Sequence, residues 1–75
     1  LVIAVEVKAR GDFDAALEAV NPRQQARICA AMEIWCARNG FSEHDRRFDV
    51  LSVIPGRLPR HTRDAFRPDF ALTQV

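Results

Sequence analysis

The stretch Leu1-Val2-Ile3-Ala4-Val5-Glu6-Val7-Lys8-Ala9-Arg10 decides how the rest of the chain is read. It is apolar and rich in β-branched residues, which predicts a strand. Successive side chains of a strand alternate faces, so Leu1, Ile3, Val5 and Val7 share one face while Val2, Ala4, Glu6 and Lys8 share the other. Glu6 and Lys8 therefore point the same way, with their backbones roughly 7 Å apart. A carboxylate and an ammonium at that spacing can converge on one phosphate, water or metal ion. They can equally form a structural ion pair at the end of a strand.

Beyond this strand, Gly11-Asp12 is a break, and Asp14 is expected to cap a short helical turn with Phe13, Ala16, Leu17 and Val20 on one side. Asn21-Pro22-Arg23-Gln24 is a helix start: Asn at the cap, Pro at the first helical position, and Gln24 where a capping-box partner reaches back. Ile28, Ala31, Met32, Trp35 and Cys36 recur at helical spacing and are expected to form its buried stripe, and Asn39-Gly40 supplies a left-handed stop. Arg47 to Ile54 reads as a second strand. A strand, a helix and a strand in this order predict a parallel, right-handed crossover unit. After the Pro55-Gly56 turn, Leu58 to Thr62 is expected to return as a short antiparallel edge strand that tolerates Pro59, with Phe66 folding back onto the core. The fold class is thus α/β with a mixed sheet: a core over residues 1–67 and a C-terminal tail over 68–75.

The 75 residues allow one small domain, and its net charge of +1 excludes a strongly polyionic protein. No apolar run reaches the ~18 residues of a membrane span. Cys29 and Cys36 would stand about 10 Å apart along one helix, too far for a disulfide, so a reducing, cytoplasmic setting is expected. Arg46, Arg57, Arg60 and Arg63 belong to a basic C-terminal part and are candidates for contacting nucleic-acid phosphate, although arginines at strand edges and turns are commonly just solvated. His44, in a polar loop, and His61, without a second ligand at metal spacing, are assigned no metal. Asp49 is assigned to a structural pair with Arg47 or a neighbouring arginine. The first strand is apolar on both faces, as a central strand would be, yet the chain supplies one obvious neighbour and one helix. The expectation is an N-terminally truncated fragment, or a homodimer in which a second copy supplies the missing edge and cover.

Four pieces in order, Val5-Glu6-Val7-Lys8-Ala9-Arg10, Ala19-Val20-Asn21-Pro22-Arg23-Gln24-Gln25, Arg47-Phe48-Asp49-Val50 and His61-Thr62-Arg63-Asp64-Ala65-Phe66, resemble the YraN-like family of uncharacterised bacterial proteins. That family is similar to the restriction-endonuclease-like superfamily and to archaeal Holliday-junction resolvases. The resemblance implies a restriction-endonuclease-like core and a metal-dependent nuclease acting on DNA, structured or branched DNA included. It implies Mg2+ or Mn2+ held by Glu6, with Lys8 and Gln25 as catalytic residues beside it. It also implies an acidic metal ligand on a strand upstream of Leu1, without which Glu6 is a weak anchor for a hydrated divalent cation. The family's usual lysine is replaced here by Gln24. The alternatives are a nucleic-acid-binding module that grips phosphate through the arginines, and a small assembly domain whose first strand pairs with a partner.

Overall fold

The structure, a computed structural model, describes residues 1–68, so all of the expected tail but Pro68 lies outside the described residues. Its elements run β1 (Val2–Ala9), α1 (Phe13–Glu18), α2 (Pro22–Asn39), β2 (Arg46–Val53) and β3 (Arg60–Phe66). The sheet has the order β1-β2-β3, with β1 parallel to β2 and β3 antiparallel to it. This is the expected mixed sheet with a strand-helix-strand crossover, preceded by the short helix.

The helix ends follow from local chemistry. Asp12, not Asp14, caps α1: its backbone is extended, and its carboxylate accepts the Ala15 amide at 2.7 Å. Asp14 already has a helical backbone, so its carboxylate has left the capping position. Ala16 is buried beneath α1 while Leu17 is exposed, so the helix uses a narrower apolar face than its composition predicts. Asn21 caps α2 by accepting the Gln24 amide at 2.9 Å, Pro22 opens the helix, and Gly40 closes it at φ +79°. That positive φ costs glycine nothing and most other residues about 1 kcal/mol or more.

The buried stripe of α2 is Cys29, Met32 and Cys36, rotated away from the expected one. They pack on Phe48, with Val2, Ala4, Ile28, Phe41 and Phe66 around them. Ala31 and Trp35 are exposed instead, because β1 is the edge of the sheet and the flank of α2 that overhangs it has no strand beneath. Both cysteines are buried and unpaired, and burial, then Glu33, pushes the Cys29 thiol up, away from reactivity.

The third strand differs most from expectation. Pairing begins at Arg60 opposite Ser52, not at Leu58, because Leu58 lies out in solvent and Pro59 has no amide to contribute. It then runs on to Phe66, which arrives opposite Phe48 as the last residue of the strand, their rings 5.2 Å apart. Between the Val50–Thr62 and Phe48–Phe66 pairs, Asp49 alone stands against Arg63, Asp64 and Ala65. Asp64 takes up this bulge with φ +52°, a conformation that Asp tolerates better than most residues.

Candidate functional site

The register turns the sheet into rows. Ala4, Phe48 and Phe66 form one row, Glu6, Val50 and Thr62 the next, and Lys8, Ser52 and Arg60 a third. Directly paired residues share a face, so all three rows lie on the side that packs against the helices. Glu6 and Lys8 are drawn together there, Nζ to Oε1 3.3 Å, with side chains 31% and 13% exposed. Both lie towards the carboxyl end of a parallel strand, the end at which open α/β sheets bind ligands. Ser52, buried and polar, lies next to Lys8 in the row. Arg60, at the far end, holds its guanidinium 4.0 Å above the Phe13 ring of α1.

A crossover helix between parallel strands runs back against them, so the first turn of α2 belongs to this same end of the sheet. Gln25 lies in that turn, with its side-chain amide donating to the Val20 carbonyl at 2.9 Å. One turn on, Ile28 lines with Glu6 an open groove between β1 and α2. Ser52 is the member of this group that sequence reasoning missed. Its only signal was its place in a strand of branched apolar residues, where a small hydroxyl stands out.

A divalent cation does not fit these residues alone. Among the described residues there is no group of three or more His, Cys, Asp or Glu side chains able to hold one, and Glu6 brings a single carboxylate already paired to an ammonium. Asp49 cannot be the second ligand. It pairs with Val5, so it emerges on the opposite face of the sheet from Glu6.

On that opposite face Asp49 is the centre of a closed network. Its carboxylate receives Arg47 Nε and Nη2 at 2.9 Å each, the Asp64 amide at 2.9 Å, and has His61 Nε2 at 2.8 Å. The Arg47 guanidinium, above all, holds the Asp49 carboxyl well below the usual carboxylate range; burial works against this, and the Asp64 amide and His61 add to it. Of the partners expected from the sequence, Arg47 or a neighbouring arginine, Arg47 is the one that pairs with Asp49. His61 and the Asp64 amide were not foreseen, because they reach Asp49 only through the β3 register and its bulge.

The four arginines considered for phosphate have different surroundings. Arg46 is in β2, ion-paired with Glu33 at 3.0 Å and donating to the Ser42 and His44 carbonyls. Arg60 is engaged with Phe13, beside Asp12, Asp14 and Glu18. Arg57 is exposed in the turn before β3, and Arg63 is exposed at the bulge. Among the described residues, no helix is long and apolar enough to cross a membrane.

Comparison with known proteins adds a family. The model described as uncharacterised protein family UPF0102 matches residues 2–53, which contain β1, both helices and β2. A UPF0102 protein of Sinorhizobium medicae is 49% identical over 67 residues, covering 88% of this chain and 55% of that protein. One from Parvibaculum lavamentivorans is 52% identical over 65 residues, covering 85% and 49%. One from Rhodopseudomonas palustris is 48% identical over 67 residues, covering 88% and 51%. The chain spans about half the length of the relatives it matches.

Proposed function

The chain belongs to the uncharacterised family UPF0102, the YraN-like family its motifs resemble, and from that premise we propose that it is the section of a DNA-directed nuclease that carries Glu6 and Lys8. The observation that carries this reading is the Glu6–Lys8 pair. It is half-buried, on the helix-covered face, at the carboxyl end of a parallel strand, with Ser52 beside it and the Gln25 turn at the same end. Glu6 has no partner besides Lys8 among the described residues, whereas the buried Asp49 carboxylate is fully occupied.

In this reading each residue has a task of its own. Lys8 presents an ammonium to the non-bridging oxygens of a phosphodiester and offsets the charge that develops there during hydrolysis. Glu6 orients Lys8 through their 3.3 Å contact and offers its second oxygen to a water or cation. Gln25 can exchange its bond to the Val20 carbonyl for one to the same water, because an amide both donates and accepts. Mg2+ or Mn2+ is the cofactor proposed for the whole protein, and it requires at least one further oxygen ligand from outside the described residues. The restriction-endonuclease-like core belongs to this proposal as well, supported by the parallel Glu-x-Lys strand followed by its crossover helix.

The test is a cleavage assay on the complete encoded polypeptide, with supercoiled plasmid and a four-way junction, in Mg2+, Mn2+ or chelator. Metal-dependent cleavage that falls at least a hundredfold in Glu6→Ala and in Lys8→Ala is the expected result, about the loss of one electrostatic stabiliser at a reacting centre. Absence of cleavage by the wild type, or unchanged cleavage by Glu6→Ala, would sink the reading.

A further inference from the structure

Strands β1 and β2 finish together: Ala9 pairs with Val53, and the Arg10 amide donates to the Val53 carbonyl at 3.1 Å. The turn after β2 therefore leaves the sheet at the same end as Lys8. It runs from Pro55 to Pro59 and is exposed throughout. Leu58, near its tip, is 88% open to solvent, the highest value for a large apolar side chain among the described residues. Turns are ordinarily built from Gly, Pro, Asn, Asp and Ser, so a leucine held out in this way contributes nothing to the core and is out of place in composition. The turn is also stiff. Pro55 and Pro59 each lock one backbone dihedral, and Gly56 takes φ +75°. At its base, Arg60 pairs with Ser52 and lays its guanidinium 4.0 Å over the Phe13 ring.

Cations flank the leucine. Arg57 precedes it, and Arg10 leaves β1 beside Val53 and Pro55. Both arginines are exposed, and neither forms an ion pair among the described residues. Arg60 stands instead beside Asp12, Asp14 and Glu18, so an anionic partner is repelled on the α1 side and admitted on the side of Arg57 and Arg10. A protein partner would need a broad apolar patch, whereas this turn offers one leucine between arginines. An apolar side chain that parts stacked bases while basic neighbours hold the adjoining phosphates matches that make-up. In the row Lys8, Ser52, Arg60 the outer members are two strand spacings apart, and Leu58 lies two residues further out, which puts it roughly 12 Å from Lys8.

We propose that Leu58 is a wedge that enters the base stack of duplex DNA, about three or four base steps from a phosphate held at Lys8, while Arg57 and Arg10 grip the backbone. The proposal rests on the reading of the protein as DNA-directed. The turn lies outside residues 2–53, the section the family model matches, so that match assigns it no role. The favoured substrate is a duplex whose stack is already weak, at a flexible step or a mismatch, because unstacking costs less there.

The test titrates the complete encoded polypeptide, in chelator and again in Ca2+, onto a duplex with a fluorescent adenine analogue at a flexible step, where stacking quenches it. The expected result is a rise of at least about twofold in fluorescence on binding, kept by Leu58→Phe and abolished by Leu58→Ala, with Leu58→Ala binding about tenfold more weakly. Arg57→Ala should weaken binding to all sequences and lower the slope of log affinity against log salt by about one. Binding without a rise in the wild type, a rise retained by Leu58→Ala, or no binding at all overturns the proposal. So does a lowered urea midpoint in Leu58→Ala, which would mean that Leu58 packs against polypeptide outside the described residues. None of these readouts needs hydrolysis. A protein that unstacks DNA without ever cleaving it refutes the nuclease reading alone, and one that cleaves without unstacking refutes the wedge alone.

Discussion

Asp49 and Glu6 are carboxylates on neighbouring strands of one sheet, one register step apart, and they have opposite characters. Asp49 is shut away from solvent and receives Arg47, His61 and the Asp64 amide. Glu6 is about a third exposed and touches one ammonium. A carboxylate has room for roughly four hydrogen bonds, so Asp49 is saturated and can do nothing but hold β2 to β3, while Glu6 has acceptor capacity left. Of two acids in a short sheet, the one with the more elaborate surroundings is the structural one.

The sharpest way to break this contrast is Asp49→Ala. It would leave Arg47 without its acceptor and orphan the inward-turned Asp64 amide, a loss expected to be about 3–5 kcal/mol, most of the stability of so small a domain. Urea unfolding measures it, and a change below about 1 kcal/mol would put Asp49 on the same footing as a surface pair.

Acid titration sharpens the same point. Because the folded state holds the Asp49 carboxyl below its unfolded value, this stabilisation is fully present above that unfolded value and is lost as pH falls through the folded one. The urea midpoint should therefore drop as pH falls below about 4, and the drop should be shallower in Asp49→Asn, which has no proton to take up. Equal slopes in the two proteins would deny Asp49 its role. The smallest effect belongs to Glu6→Gln, which should alter the unfolding free energy by no more than about 1 kcal/mol, since the pair is partly solvated. A loss as large as that of Asp49→Ala would make Glu6 a framework residue too.

Much of this was legible in the chain. The alternation in Leu1 to Lys8 put Glu6 and Lys8 on one face, Asn21-Pro22 and Asn39-Gly40 bounded α2, and the strand-helix-strand order gave the parallel pairing of β1 and β2. These are local signals, carried by backbone preferences within a few residues. What escaped was set by residues distant in sequence. The buried stripe of α2 shifted because β1 has no outer neighbour among the described residues, the start of β3 moved to Arg60, and the bond of His61 to Asp49 arose from the β3 register, which sets His61 opposite Leu51.

By itself, then, the sequence determined that Glu6 and Lys8 share a face, that Asp49 pairs with Arg47 or a neighbouring arginine, and that the chain resembles the family to which it belongs. Only the tertiary structure decided which face that is and whether Asp49 stands with Glu6 or against it. Alternation along a strand relates each side chain to its own neighbours, whereas register between strands assigns both to a common side. A shift of one residue in that register would have put Asp49 beside Glu6 and made one acidic site of two.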